Sequence, residues 1–267
     1  MNDKQRRQNY ILQETGSSSW LHAIPLKEFN YSLSKQEFWD AIRIRYSWPI
    51  PNPPSRCACG EKFDTQHSMS CKKGGFVTLR HNELRDITAK LLDEVCKDVE
   101  VEPMLNKLTG EEFKFKTANC QDEARLDISA SGFWVKGQKT FVDLRVFDPN
   151  ATRYNNQSIK QSYAKNEMEK KRHYNQRVLE VEQGSFTPLV FAINGSMGNE
   201  CKAFYSRLAD LLSIKRKVEK SLVISWLRTK DSFAQTRSML ICLRGSRTIH
   251  KNVYALDDIE IAEKVGK

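Results

Sequence analysis

Residues 124–149, ARLDISASGFWVKGQKTFVDLRVFDP, set two carboxylates, Asp127 and Asp143, inside runs that otherwise read as buried strands. Leu126, Ile128, Val142, Leu144 and Val146 flank them, and a carboxylate carried into such surroundings is costly unless a cation meets it. If RLDIS pairs with FVDLRVF, the two acids stand side by side. They would then form a site for a hard divalent cation, Mg²⁺ or Mn²⁺, which takes oxygen ligands and keeps waters for chemistry. The alternative reading has each acid capping a strand end or pairing with the adjacent Arg125 or Arg145.

The surrounding pattern predicts a layered α/β fold. Leu84, Ile87, Thr88, Leu91, Leu92 and Val95 repeat at helical spacing and predict a helix over 77–97. The runs VEVEP, EEFKFK, ARLDISA and QKTFVDLRVFD read as successive strands. A long helix over 158–183, a buried strand TPLVFAI and a helix over 198–220 follow. Ahead of this core, residues to about 16 read as a flexible lead or the cut end of a longer polypeptide, and SSSWLHAIPL as a short helix. In SKQEFWDAIRIRYSW, Ser34 and Glu37 have capping-box spacing, with Phe38, Trp39, Ile42 and Tyr46 on one side. PIPNPPS then ends any helix. The expected division is 1–50 helical lead-in, 51–76 metal knuckle and linker, 77–214 main domain, 215–247 helical extension and 248–267 tail.

A net charge of +10 on 267 residues makes nucleic acid the first partner to test, although basic chains that touch no nucleic acid are common. The polar start MNDKQRRQNY lacks the apolar core of a signal peptide, and no window approaches the roughly 18 apolar residues of a spanning helix. A soluble intracellular protein with no membrane contact is expected. Of seven cysteines, Cys96, Cys120, Cys201 and Cys242 are scattered, whereas Cys57, Cys59 and Cys71 cluster with His67 in CACGEKFDTQHSMSC. That Cys-x-Cys, His-x3-Cys spacing suits a four-ligand structural Zn²⁺ site.

Two helices add candidates. Tyr163, Tyr174, Val178 and Val181 mark the apolar stripe of the 158–183 helix, with Glu167, Lys170 and Lys171 on or beside it. Charge on a sheet-facing stripe points to a polar site beneath; lysines that merely snorkel are the alternative. On the preceding helix, Arg80 and His81 lie within the stripe at its first turn. Glu83 and Glu94 run along one edge, where either could complete the metal site, and Asp93 faces away.

Taken together, the knuckle, RHNELRD opening a helix, the aspartate strand, FVDLRVF, YAKNEMEKKRHY and FTPLVFAI resemble the C-terminal part of non-LTR retrotransposon polyproteins that carry a restriction-like endonuclease of the PD-(D/E)xK superfamily. The resemblance spans about residues 17–247. It implies a restriction-endonuclease-like αβββαβα core, Asp127 and Asp143 as ligands of a catalytic Mg²⁺ or Mn²⁺, and DNA nicking in the nucleus during target-primed reverse transcription, with element RNA as a further partner. Leu126 stands where the family has proline, and Arg145 where it has lysine; Arg145 can still orient the attacking water or offset charge on the phosphate, or the lysine role moves to Lys170. Glu83 and Glu167 are supporting acids in this reading, and Arg80, His81, Lys171 and Arg172 are expected at DNA phosphates. A catalytically inactive, zinc-containing nucleic-acid-binding relic is the other reading. YALDD, residues 254–258, has one residue too many for the polymerase Tyr-x-Asp-Asp motif, so the chain looks like a fragment or a copy that has lost its polymerase.

Overall fold

The computed structural model describes residues 3–106 and 125–247; the EEFKFK strand, Cys120 and the tail with YALDD lie outside the described residues. The chain opens with helices α1 (Asp3–Gln13), α2 (Ser19–His22) and α3 (Lys35–Tyr46). The expected loose lead is instead an ordered helix. Ile11 is buried in a cluster with Phe147, Tyr154 and Tyr163, and the Arg7 guanidinium donates to the carbonyls of Pro149 and Gln157. One apolar residue and a few guanidinium-to-backbone bonds anchor it, too sparse a signal for periodicity to reveal.

Helix α3 starts with the expected capping box: Ser34 Oγ accepts from Glu37 N–H, and the Glu37 carboxylate accepts from Ser34 N–H. Its packed side differs from expectation. Asp40 and Ala41 are buried, whereas Phe38, Trp39 and Tyr46 face solvent. The cause is Arg244, which donates to both Asp40 oxygens at 2.8 and 3.0 Å and draws the acidic side of α3 inward.

The knuckle segment carries the short helix α4 (Thr65–Ser70), capped by the Asp64 carboxylate on His67 N–H. Helix α5 (Phe76–Asp93) leads to β1 (Lys97–Val101), β2 (Ile128–Ser131) and β3 (Lys139–Phe147). Helix α6 (Ile159–Glu180), strand β4 (Ser185–Ala192), helix α7 (Asn199–Arg216) and helix α8 (Lys220–Arg244) complete the chain. The strands form one sheet in the order β1-β2-β3-β4, antiparallel except for the parallel β3–β4 pair. A parallel pair needs a crossover long enough to return to the same end, and α6 supplies it.

Strand alternation gives the sheet two apolar faces. Ile128, Val142, Leu144, Leu189 and Phe191 pack with Leu84 and Leu92 of α5 and with Phe204 and Leu208 of α7. On the other face, Phe141, Phe147, Phe186 and Val190 meet Tyr163 and Val178 of α6. Asp143 and Arg145 alternate with the first set, so they point toward α6. The protein is thus a mixed α/β structure, a four-stranded mixed sheet flanked by helices.

The segment expected as a helical extension is a single 25-residue helix, α8. It packs on α5 and α7 and joins the lead-in and the knuckle to the main core: Phe233 and Leu240 meet Trp20 and Ala41, and Met239, Cys242 and Leu243 meet Cys57, Phe63 and Met69. Its buried side also carries Asp231, Ser232, Gln235, Thr236 and Ser238, which blurs its apolar period. Because Asp40 is buried and Arg244 is its nearer partner, with Arg43 at 3.7 Å, Arg244→Ala is expected to destabilise the protein by on the order of 2 kcal/mol, read from urea unfolding. A loss below about 0.5 kcal/mol would mean that the pair does not hold α3.

Candidate functional site

The two strand aspartates come together. β2 pairs Ile128 with Val142, and Asp127 N–H donates to the Val142 carbonyl at 3.1 Å, which continues the register by one residue and sets Asp127 across from Asp143. Like charges placed opposite one another on a sheet repel, and these are 9% and 5% exposed. Each therefore has its own compensating partner. The Leu144 N–H donates to Asp127 Oδ2 at 2.5 Å, and His81, in the first turns of α5, brings Nε2 to 3.2 Å from the same oxygen. Lys170 of α6 places its ammonium against Asp143 Oδ2.

The result is an asymmetric pair. Burial pushes the Asp127 carboxyl up, but His81 and the Leu144 amide outweigh it and hold it down at about 2. Burial also pushes Asp143 up; Lys170 opposes this, the neighbouring Asp127 charge adds to it, and the carboxyl ends at about 7. Burial pulls His81 down, yet its bond and attraction to Asp127 leave it raised above the usual imidazole range. Near neutral pH one acid is thus ionised while the other is poised to exchange a proton. Ser129, two residues along the same side of β2, buries an Oγ with no hydrogen-bond partner.

The other expected residues sit elsewhere. Arg145 shares the α6-facing side of β3 with Asp143 but is bonded to Glu169 Oε2 at 2.5 Å. Glu167 was expected beside the metal; its carboxylate instead accepts the Glu200 N–H at 3.0 Å and caps the start of α7, where unsatisfied amides attract an acid. Gly198 leaves room for it, since a Cβ there would lie 2.2 Å from Glu167 Oε1. Lys171 pairs with Glu200, and Arg172 is exposed. Glu83 lies on the side of α5 toward α8, where its charge acts on Arg237. Glu94 is held by Arg216 at 2.7–3.0 Å. Neither glutamate completes the carboxylate pair.

Arg80 is a further correction. It was expected at a DNA phosphate but is 3% exposed, and its guanidinium donates to the Met69 carbonyl of α4 at 3.2 Å. Burial lowers its proton affinity, with Asp148 opposing. Its place in the apolar stripe was the signal that it faces inward. Glu169, the partner of Arg145, was missed because it falls off the stripe of α6.

The cysteine and histidine cluster also assembles. The ligand atoms of Cys57, Cys59, His67 and Cys71 all lie within 4.8 Å of one another. Cys57 Sγ and Cys71 Sγ are 3.7 Å apart, and Cys59 Sγ lies 3.3 Å from His67 Nε2. A tetrahedral zinc with Zn–S bonds of about 2.3 Å spaces two sulfurs by about 3.8 Å, so this cluster can hold a metal such as zinc. Burial raises the Cys57 thiol, but the Cys59 backbone and the His67, Cys59 and Cys71 side chains reverse this and bring it to about 6, toward the thiolate a metal needs. Besides Arg80, Arg247 fastens this unit to the core: it donates to the Ser68 carbonyl at 3.2 Å and lies between the Phe63 and Phe76 rings.

No protein-family model matches this chain, and no curated protein matches it. Among the described residues, no helix is long and apolar enough to cross a membrane. The purified chain is expected to carry about one zinc per molecule by elemental analysis, and Cys71→Ser to lose it together with thermal stability. Full zinc retention in that variant would contradict the four-ligand assignment.

Proposed function

We propose that the protein is a metal-dependent DNA endonuclease of the PD-(D/E)xK type, derived from a retrotransposon and containing a structural zinc. The observation that carries this reading is the buried pair Asp127 and Asp143, opposed across β2 and β3 and flanked by His81 and Lys170. The order α5, three antiparallel strands, α6, parallel β4, α7 supports it, because it is the order that the family resemblance implies. The +10 charge supports a polyanionic substrate.

The donor set fits Mg²⁺ or Mn²⁺: two carboxylates and waters are hard oxygen ligands. Bound there, such an ion would acidify a water and offset charge on the phosphodiester. The chain supplies the rest. Asp127, held by His81 and the Leu144 amide, keeps a fixed orientation and a full negative charge. Asp143 sheds its proton near neutral pH. Lys170 is paired with Asp143; with a cation held by the aspartates it would be placed to offset charge on a phosphate oxygen, the task the superfamily assigns to a strand lysine. Arg145, paired with Glu169, serves to fix α6 rather than as a base. Attack of water on phosphorus then breaks the bond to the 3′ oxygen, which takes up a proton and leaves a nick.

Arg145 in place of lysine favours one other reading, a zinc-containing nucleic-acid-binding relic without catalysis. Plasmid nicking separates the two. With Mg²⁺ or Mn²⁺ the wild type is expected to nick, and Asp143→Asn to lower the rate by about a hundredfold or more with zinc content and DNA affinity unchanged. Equal nicking by both proteins would falsify the assignment, and absence of nicking with either ion favours the relic. A pH series is a further check. Since Asp143 holds a proton up to about 7, the ion must displace it below that pH. Mn²⁺ affinity should therefore rise by up to about tenfold per pH unit toward neutrality and level off above it. A flat profile would contradict the role of Asp143.

A further inference from the structure

Helix α3 and the segment after it present a surface that the cleavage chemistry does not use. Trp39 and Tyr46 are each 45% exposed and Trp48 is 51% exposed. These rings are arranged in order. Trp39, Arg43 and Tyr46 recur at i, i+4 and i+7 and so share one side of the helix. The Arg43 guanidinium lies 5.8 Å from the Trp39 ring centre and that of Arg45 lies 5.7 Å from Tyr46. Tyr46 and Trp48 stack at 5.4 Å with their planes 30° apart.

The acids of α3 offset this charge only in part, Arg43 lying 3.7 Å from Asp40. Asp40 is buried under Arg244, and Glu37 is taken up in the capping box. What remains outward is three aromatic rings with the partly exposed Arg43 among them, while Arg45, turned inward to the neutral Ser17 carbonyl and Ser18 hydroxyl, adds positive charge beneath. That chemistry matches a chain of flat bases joined by phosphates: rings stack on bases, and guanidinium groups attract the backbone. A duplex hides its base faces and cannot use the rings; an apolar peptide would have to desolvate the arginines.

We propose that the Trp39, Arg43, Tyr46 and Trp48 surface binds a single strand of DNA by base stacking. The choice of DNA rests on the nuclease reading above, because a nick creates strand ends that can fray from their complement beside the enzyme. The surface would hold that strand, or unpaired target, apart from the carboxylate pair.

Trp39 and Trp48 are exposed, so the double variant Trp39→Ala, Trp48→Ala is expected to keep its zinc and its melting temperature. Binding of labelled oligo-dT by the full chain, measured by fluorescence anisotropy without divalent ions, should weaken about tenfold or more in this variant. Phenylalanine at both positions should restore most of the affinity, and duplex binding should change little. Unchanged oligo-dT affinity, an equal loss on duplex, or tighter binding of oligo-rU through the same rings would overturn the proposal. If Asp143→Asn nicks like wild type while the tryptophan variant loses oligo-dT, only the nuclease reading fails. If nicking depends on Asp143 and oligo-dT affinity is unchanged, only this one does.

Discussion

Two carboxylates opposed across a buried sheet are unstable unless positive charge is brought to each, and much of the structure can be traced to meeting that requirement. β3 is paired on both edges and covered on both faces, so Asp143 has little access to water. α5 approaches from one face with His81, and α6 crosses the other with Lys170. The split between a carboxyl near 2 and one near 7 follows from which partner each receives. A hydrogen-bonded imidazole and an amide hold Asp127 ionised, whereas Asp143 bears both the heavier burial and its neighbour's charge.

The cysteine and histidine cluster is tied to the same requirement through adjacent residues of α5. Arg80 turns inward to the α4 carbonyl, and His81, next in sequence, turns to Asp127. Arg247 makes a second tie from the end of α8. The first turns of α5, which carry His81, are therefore set against the knuckle on one side and the sheet on the other. The cluster thus contributes to the position of a residue in the carboxylate site while its own four ligands remain within the knuckle.

Sequence periodicity revealed α5, β2, β3 and β4, which bury regular apolar faces, and the Asp127–Asp143 pairing followed from strand register. The Cys/His cluster was legible from spacing alone. What it concealed depends on partners distant in the chain. Glu167 caps α7 only because Gly198 brings that helix start close. The aromatic side of α3 is left outward because Arg244, some two hundred residues on, pulls Asp40 inward. α1 is held by backbone carbonyls that no side-chain pattern can announce. Arg80 was misread because its charge was weighed above its place in an apolar stripe.

The central claim is that Asp127 and Asp143 are held opposite one another to share a divalent cation. Its most direct test is a crystal soaked in Mn²⁺ and measured at the manganese absorption edge. The account expects one anomalous peak within about 2.3 Å of an oxygen from each aspartate, with the Lys170 ammonium displaced from Asp143. A map with zinc in the knuckle, no manganese between the aspartates and Lys170 still bonded to Asp143 would contradict it.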